Sequence, residues 1–184
     1  MGSGPALPAR ISLIGFMGSG KTTVGRILAR ALGLELIDLD SMVEQSAGAS
    51  VARIFAEHGE RAFRDREAQA LSSLASREGI VVAAGGGAPV QERNREFFER
   101  LSTTFYLRVS LATARRRTRG SAERPLLGRG AGAVRALYEK RLPVYRSFGA
   151  EVDTEGRTPK EVAGEILRLL GRPTGSGSPA GSRG

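Results

Sequence analysis

Residues 15–22 read Gly15-Phe16-Met17-Gly18-Ser19-Gly20-Lys21-Thr22, a full match to the pattern GxxxxGK[ST]. Glycines at these places leave backbone N–H groups free to wrap phosphate oxygens, and a helix opening behind them adds its partial positive charge. Lys21 can reach β- and γ-phosphates, and the Thr22 hydroxyl can meet Mg²⁺. Gly18, Ser19, Gly20, Lys21, Thr22 and Thr23 are therefore expected to hold the phosphates of a nucleotide cofactor and its magnesium. The motif follows an apolar run and opens a helical pattern, the context that separates a phosphate loop from a chance glycine-rich turn.

The other groups able to do chemistry are scattered along the chain. After the third apolar run, where a metal-binding Asp often stands in such proteins, the sequence has Gly85-Gly86-Gly87. The metal's carboxylate must then come from elsewhere, and Asp38, ending the second run, is the natural choice. Asp40 faces the same way only if the strand persists; a turn after Leu39 aims it deeper, towards a second substrate, and it could also cap a helix starting near Ser41. Three glycines in a row let backbone approach a ligand closely, or simply make a turn. Arg64 and Glu67, three apart on a helix, share a face, so Glu67 can hold a guanidinium fork aimed at a carboxylate; spacing alone allows a plain surface pair. Arg115, Arg116, Arg117, Arg119, Arg124 and Arg129, interspersed with glycines, suggest a mobile lid over phosphates, about 115–132. His58, before Gly59, is read as capping or surface.

The elements that must position these groups alternate. Short strands are expected at Ile11–Gly15, Leu34–Leu39, Ile80–Ala84, Thr103–Leu107 and Ala150–Asp153. Helical spacing covers Lys21–Leu32, Ser41–Arg77 (broken at Gly48 and Gly59), Val90–Arg100, Leu111–Arg119, Ala133–Ser147 and Pro159–Leu170. Thr158 with Glu161 and Pro159 makes a capping box with proline in the first turn. This order predicts an α/β fold of three α/β/α layers around a five-stranded parallel sheet, with the polar motifs converging beyond the strands' carboxyl ends.

Composition sets limits. The 184 residues suit one domain, expected over 11–171, with a flexible segment at 1–10 and a disordered Gly/Ser/Pro tail at 172–184. No cysteine and a single histidine exclude thiolate chemistry and multi-histidine metal sites. No apolar run approaches the ~20 residues that span a bilayer, and residues 1–10 lack the layout of a signal peptide, so a cytoplasmic protein without membrane partners is expected. The net charge of +9 invites a nucleic-acid reading, but only three basic residues are lysines and there is no Trp. Without aromatics interleaved among the basic residues, no base-stacking platform forms.

The ordered set GFMGSGKTTVGRILA (15–29), DLD (38–40), IFAEHGERAFRDRE (54–67), AAGGG (83–87), RPLL (124–127) and YEKRLPVYR (138–146) resembles the shikimate kinases, over nearly all of residues 11–170. The resemblance implies a monomeric kinase moving the γ-phosphoryl of Mg·ATP to the 3-hydroxyl of shikimate. It also implies roles. Asp38 resembles the Mg²⁺-associated carboxylate acting with Thr22, and Asp40 the carboxylate that binds the shikimate hydroxyls. Arg64 and Arg141 resemble the arginines holding the substrate carboxylate, with Gly85, Gly86 and Gly87 as its backbone cradle. Arg124 is similar to the lid arginine that reaches the transferring phosphate, Arg117 to an arginine near the nucleotide base, and 153–159 to the adenine loop. A gluconate-type or nucleoside-monophosphate kinase on the same architecture, or a basic P-loop nucleic-acid-binding protein, remain the alternatives.

Overall fold

The computed structural model describes residues 8–118 and 130–171. Five parallel strands form one sheet: β1 (Arg10–Ile14), β2 (Glu35–Asp38), β3 (Ile80–Ala83), β4 (Thr103–Arg108) and β5 (Ala150–Asp153), in the order β2-β3-β1-β4-β5. The central strand β1 pairs with both β3 and β4, Leu13 facing Ala83 on one side and Phe105 on the other. Alternation along the strands sorts the core into two layers. Ile11, Leu13, Val81, Phe105 and Leu107 pack against α1 (Lys21–Leu32) and α6 (Pro159–Leu169). Ile14, Ile80, Val82 and Tyr106 face the opposite layer with α2 (Leu39–Ala47), α3 (Val51–Leu74) and α5 (Gly130–Arg146). The three-layer α/β/α expectation is what the chain forms.

Local chemistry explains the boundaries. Gly33, in the left-handed region with φ 67°, ends α1. Asp38 caps α2, its Oδ1 accepting from Ser41 N at 3.2 Å, so β2 stops at Asp38 and not at Leu39. The helix thus begins two residues earlier than expected, and Asp40 lies in its first turn. Ser50 caps α3 and Gly59 (φ 78°, ψ 173°) breaks its helical path. The Thr158–Glu161 capping box forms as read, with Pro159 in the first turn.

Two expectations need correction, and two fall largely outside the described residues. The helix expected over 90–100 is instead two 3₁₀ turns (Ala88–Val90, Glu92–Asn94) and a π turn (Phe97–Leu101). Gln91 is extended between the first two, and the buried Asn94 side chain donates to Ala88 O at 3.0 Å, fixing a compact loop. Arg10, placed in the N-terminal segment, opens β1 opposite Ile80 and donates to Leu101 O and Arg77 O. The lid expected over 115–132 lies mostly outside the described residues, and its described ends are helical: α4 (Leu111–Thr118) reaches into it, and α5 starts at Gly130, three residues earlier than expected. The Gly/Ser/Pro tail at 172–184 also lies outside.

Candidate active site

At the carboxyl ends of β1, β2 and β3 lies a cavity of about 580 Å³. Its walls hold Gly18, Gly20, Lys21, Thr22 and Thr23 from the loop after β1, Asp38 and Asp40 at the β2–α2 junction, and Arg64 and Glu67 from α3. Gly85, Gly86, Gly87, Arg117 and Arg141 complete the set. Of the residues picked from sequence, Ser19 sits buried just behind the wall and Arg124 lies outside the described residues.

The phosphate loop is built on backbone that only glycine accepts. Gly15 has φ 143°, and a Cβ there would fall 2.6 Å from Leu107 O. Gly20, at φ 91°, is the N-cap of α1 and supplies no side-chain cap, so the helix presents its first N–H groups to whatever lies ahead. Lys21 Nζ donates to Gly15 O (2.9 Å), Phe16 O (3.1 Å) and Ser19 Oγ (3.5 Å), arching over the loop. Thr22 Oγ1 donates to Asp38 Oδ2 at 2.7 Å. Among the described residues no group of three or more His, Cys, Asp or Glu could encage a metal ion. One hydroxyl and one carboxylate suit a Mg²⁺ that keeps most of its waters and takes its remaining ligands from phosphates.

Arg117 ties this half together: it donates to Gly18 O (3.2 Å), Thr154 Oγ1 (3.3 Å) and Thr154 O (3.0 Å). The phosphate loop is thereby joined to the loop after β5.

The opposite half is a buried ionic cluster. Arg64 is 7% exposed, and Glu67, one turn on, is fully buried. Arg64 Nη1 donates to Glu67 Oε2 at 2.9 Å and Nη2 to Glu60 Oε1 at 3.2 Å, so the pair inferred from spacing is internal and not a surface contact. Burial pushes the Glu67 carboxyl up to about 7 despite the Arg64 charge, with Asp40 adding to the rise. Its Oε1 and Arg64 Nε are buried without a hydrogen-bond partner among the described residues. A Cβ on Gly85 would lie 2.5 Å from Asp40 Oδ1 and 2.8 Å from Glu67 Oε1, and one on Gly87 2.4 Å from Arg64 Nη1. The glycine run is therefore required by crowding: carboxylates and guanidinium press directly on backbone. Arg141, buried on α5, closes the far side, 3.3 Å from where a Cβ on Gly86 would sit. Phe55 and Phe63, their rings 5.0 Å apart, add an apolar wall.

Sequence reasoning picked out Glu67 only as Arg64's holder and missed Tyr145. Tyr145 stands one turn after Arg141 and donates its hydroxyl to Gly86 O. The i, i+4 spacing within YEKRLPVYR puts the two on one helix face but does not say what that face meets.

A glycine loop and lysine at a helix N-terminus, facing a carboxylate and paired arginines across one crevice of a parallel sheet, define a P-loop phosphotransferase for a small anionic acceptor. Comparison with known proteins narrows the class. A sequence model described as shikimate kinase matches residues 17–171. A shikimate kinase of Chromohalobacter salexigens is 43% identical over 88% of this chain and 92% of that protein. The solved shikimate kinase of Acinetobacter baumannii in complex with shikimate superposes with a TM-score of 0.85 at 39% identity, covering 90% of this chain and 93% of that one. A gluconokinase of Sinorhizobium meliloti, at 21% identity and a TM-score of 0.56, shares the fold alone. The chain belongs to the shikimate kinase family. It is an ATP-dependent kinase, and no described helix is long and apolar enough to cross a membrane.

Proposed function

We propose that this chain transfers the γ-phosphoryl of ATP to the 3-hydroxyl of shikimate, giving shikimate 3-phosphate and ADP. The observation that carries the reading is the shared cavity: the phosphate loop and the Arg64–Arg141–glycine cluster open onto one space, with Asp40 beside the glycine run. Residues 18–23 cradle the phosphates of ATP, and Arg117 stands at the nucleotide's side of the loop. Arg64, Arg141 and the N–H groups of Gly85, Gly86 and Gly87 hold the substrate carboxylate, the geometry a planar guanidinium favours. Asp40 binds the hydroxyls and orients the acceptor oxygen. As the bond from that oxygen to phosphorus forms and the β–γ bridging P–O bond breaks, Asp40 takes the hydroxyl proton late. Thr22 and Asp38 would hold Mg²⁺, which when bound neutralises charge on the β- and γ-phosphates. The transition state is loose, so most catalysis is positioning and charge neutralisation. Lys21 supplies such a donor, as does Arg124 on the family resemblance; each contributes about 2–4 kcal/mol.

In this reading residues 11–171 act as one domain, a cytoplasmic monomer without nucleic-acid or membrane partners. The test is ADP release from Mg·ATP with shikimate, gluconate and nucleoside monophosphates offered separately. Turnover with shikimate alone is expected. Turnover with gluconate or a nucleotide instead moves the chain to the alternative acceptors, and silence with all three, together with salt-sensitive RNA or DNA binding, refutes the kinase reading.

A further inference from the structure

The carbonyls of the glycine run are each held differently. Gly85 O accepts from Ala88 N (3.0 Å) and Gly87 O from Val90 N (3.1 Å), both within the local turn. Gly86 O has a distant partner, the Tyr145 hydroxyl at 2.5 Å, from a residue of α5 that lies 59 positions further along the chain. The Gly86 carbonyl and the Gly87 N–H belong to one planar trans peptide, so they point in opposite directions. Neither glycine has a side chain to resist rotation of that plane. Pinning the carbonyl on the buried side therefore aims the Gly87 N–H away from Tyr145, the side on which the cavity lies.

Tyr145 is built to be a fixed point. It is fully buried, behind the cavity wall, and its ring stacks on Tyr106 with centroids 5.4 Å apart at 28°. Burial pushes the phenol up to about 12 against the opposing charge of Arg141, so the hydroxyl keeps its proton and donates. A Cβ on Gly86 would meet Arg141 Nη1 at 3.3 Å and Tyr145 Oη at 3.5 Å, which puts both groups of α5 on the same peptide.

We propose that Tyr145 is a positioning residue for the acceptor's carboxylate: its hydroxyl sets the Gly86–Gly87 peptide plane, and with it the N–H that the carboxylate meets alongside Arg141. The inference rests on the shikimate reading above. Tyr145→Phe keeps the ring and its stack while deleting the hydroxyl, with its bond to Gly86 O and its hydrogen bond with the Arg141 side chain. The expected result is a KM for shikimate raised about tenfold, with kcat and the KM for ATP within twofold of wild type. For shikimate carboxamide, which lacks the charge, wild type and variant should differ by less than threefold. A KM for shikimate unchanged within twofold overturns the proposal, as does an equal rise for shikimate and ATP, or for acid and amide, because those patterns belong to a merely structural residue. A variant that no longer binds ADP also overturns it, since the ring alone would then not be holding the fold. If the wild-type enzyme turns over no shikimate, the functional reading itself fails; if it does and the variant is unaffected, only the role of Tyr145 falls.

Discussion

Glu67→Gln should remove most of the pH dependence of stability between pH 5 and 8. The native carboxyl titrates near 7, raised chiefly by burial, against 4.5 for an ordinary glutamate. Between those values the folded protein keeps a proton that the unfolded chain has released. Its stabilising effect is complete below pH 4.5 and is lost as pH rises through 7, about 3 kcal/mol in all. For a domain of this size that is about 6–12 °C in Tm. Glutamine copies the protonated acid in shape and cannot ionise, so its curve should lack this fall. Glu155 and Glu161 are shifted the other way, by the Ser110 and Thr158 backbone N–H groups respectively. Their stabilisation is present above the ordinary glutamate range and lost on acidification below it; both proteins share it, so it cancels in the difference. The measurement is thermal unfolding by circular dichroism, without ligand, at half-unit steps from pH 5 to 8. Parallel curves for the two proteins would refute the reasoning, because they would mean that the Arg64 bridge keeps Glu67 ionised throughout.

The same buried carboxyl should take up a proton when shikimate binds near pH 7, since an arriving anion raises its proton affinity; titration calorimetry in buffers of different ionisation enthalpy reads the uptake, which Glu67→Gln should abolish. Lys21→Ala should lower kcat at least a hundredfold with Tm within a few degrees, and wild-type rates would remove the phosphate-loop assignment. Arg64→Ala should raise the KM for shikimate more than tenfold and leave that for ATP within twofold; equal changes would make Arg64 structural. Gly87→Ala puts a methyl 2.4–2.5 Å from the Arg64 guanidinium, which must leave its bonds to Glu60 and Glu67 to make room, whereas the backbone stays in place. It should therefore mimic Arg64→Ala in the KM for shikimate while costing less stability than Gly15→Ala, whose methyl meets the Leu107 carbonyl.

The sequence disclosed most where chemistry and backbone are coupled. The glycine turn that opens α1, the five parallel strands and the Thr158 capping box depend on neighbours in the chain, and each forms as read. The β2–α2 junction was harder, because DLD offers two aspartates able to cap and propensity does not choose between them. Asp38 wins the cap while also accepting from Thr22, a contact that comes from another element altogether. The 90–100 stretch failed for a similar reason. Its apolar spacing suits a helix, but Gln91 is extended and the buried Asn94 side chain folds back on Ala88 O, a contact that no helical period announces. Arg141 and Tyr145 could not be singled out by spacing alone, because nothing near them in sequence reveals that Gly86 is their partner.

Among the described residues the arginines fall into two kinds. On the surface several pair with a glutamate four residues on: Arg53 with Glu57, Arg95 with Glu99, Arg135 with Glu139, all at 2.7–2.8 Å and well exposed. Such exposed pairs contribute little to stability. The arginines facing the acid half of the cavity are of another kind. Arg64 is clamped between two glutamates and Arg141 is packed into α5 against the glycine run, so neither has far to move when a carboxylate arrives. A mobile surface arginine would lose rotamer entropy on binding, whereas these lost it on folding. Holding Arg64 there requires a negative partner inside the protein, yet a fully ionised Glu67 would also repel the substrate's charge. A carboxyl poised near 7, beside Asp40 and beneath the arginine, reconciles the two demands: it anchors the guanidinium and can give up its charge to a proton when the substrate brings its own.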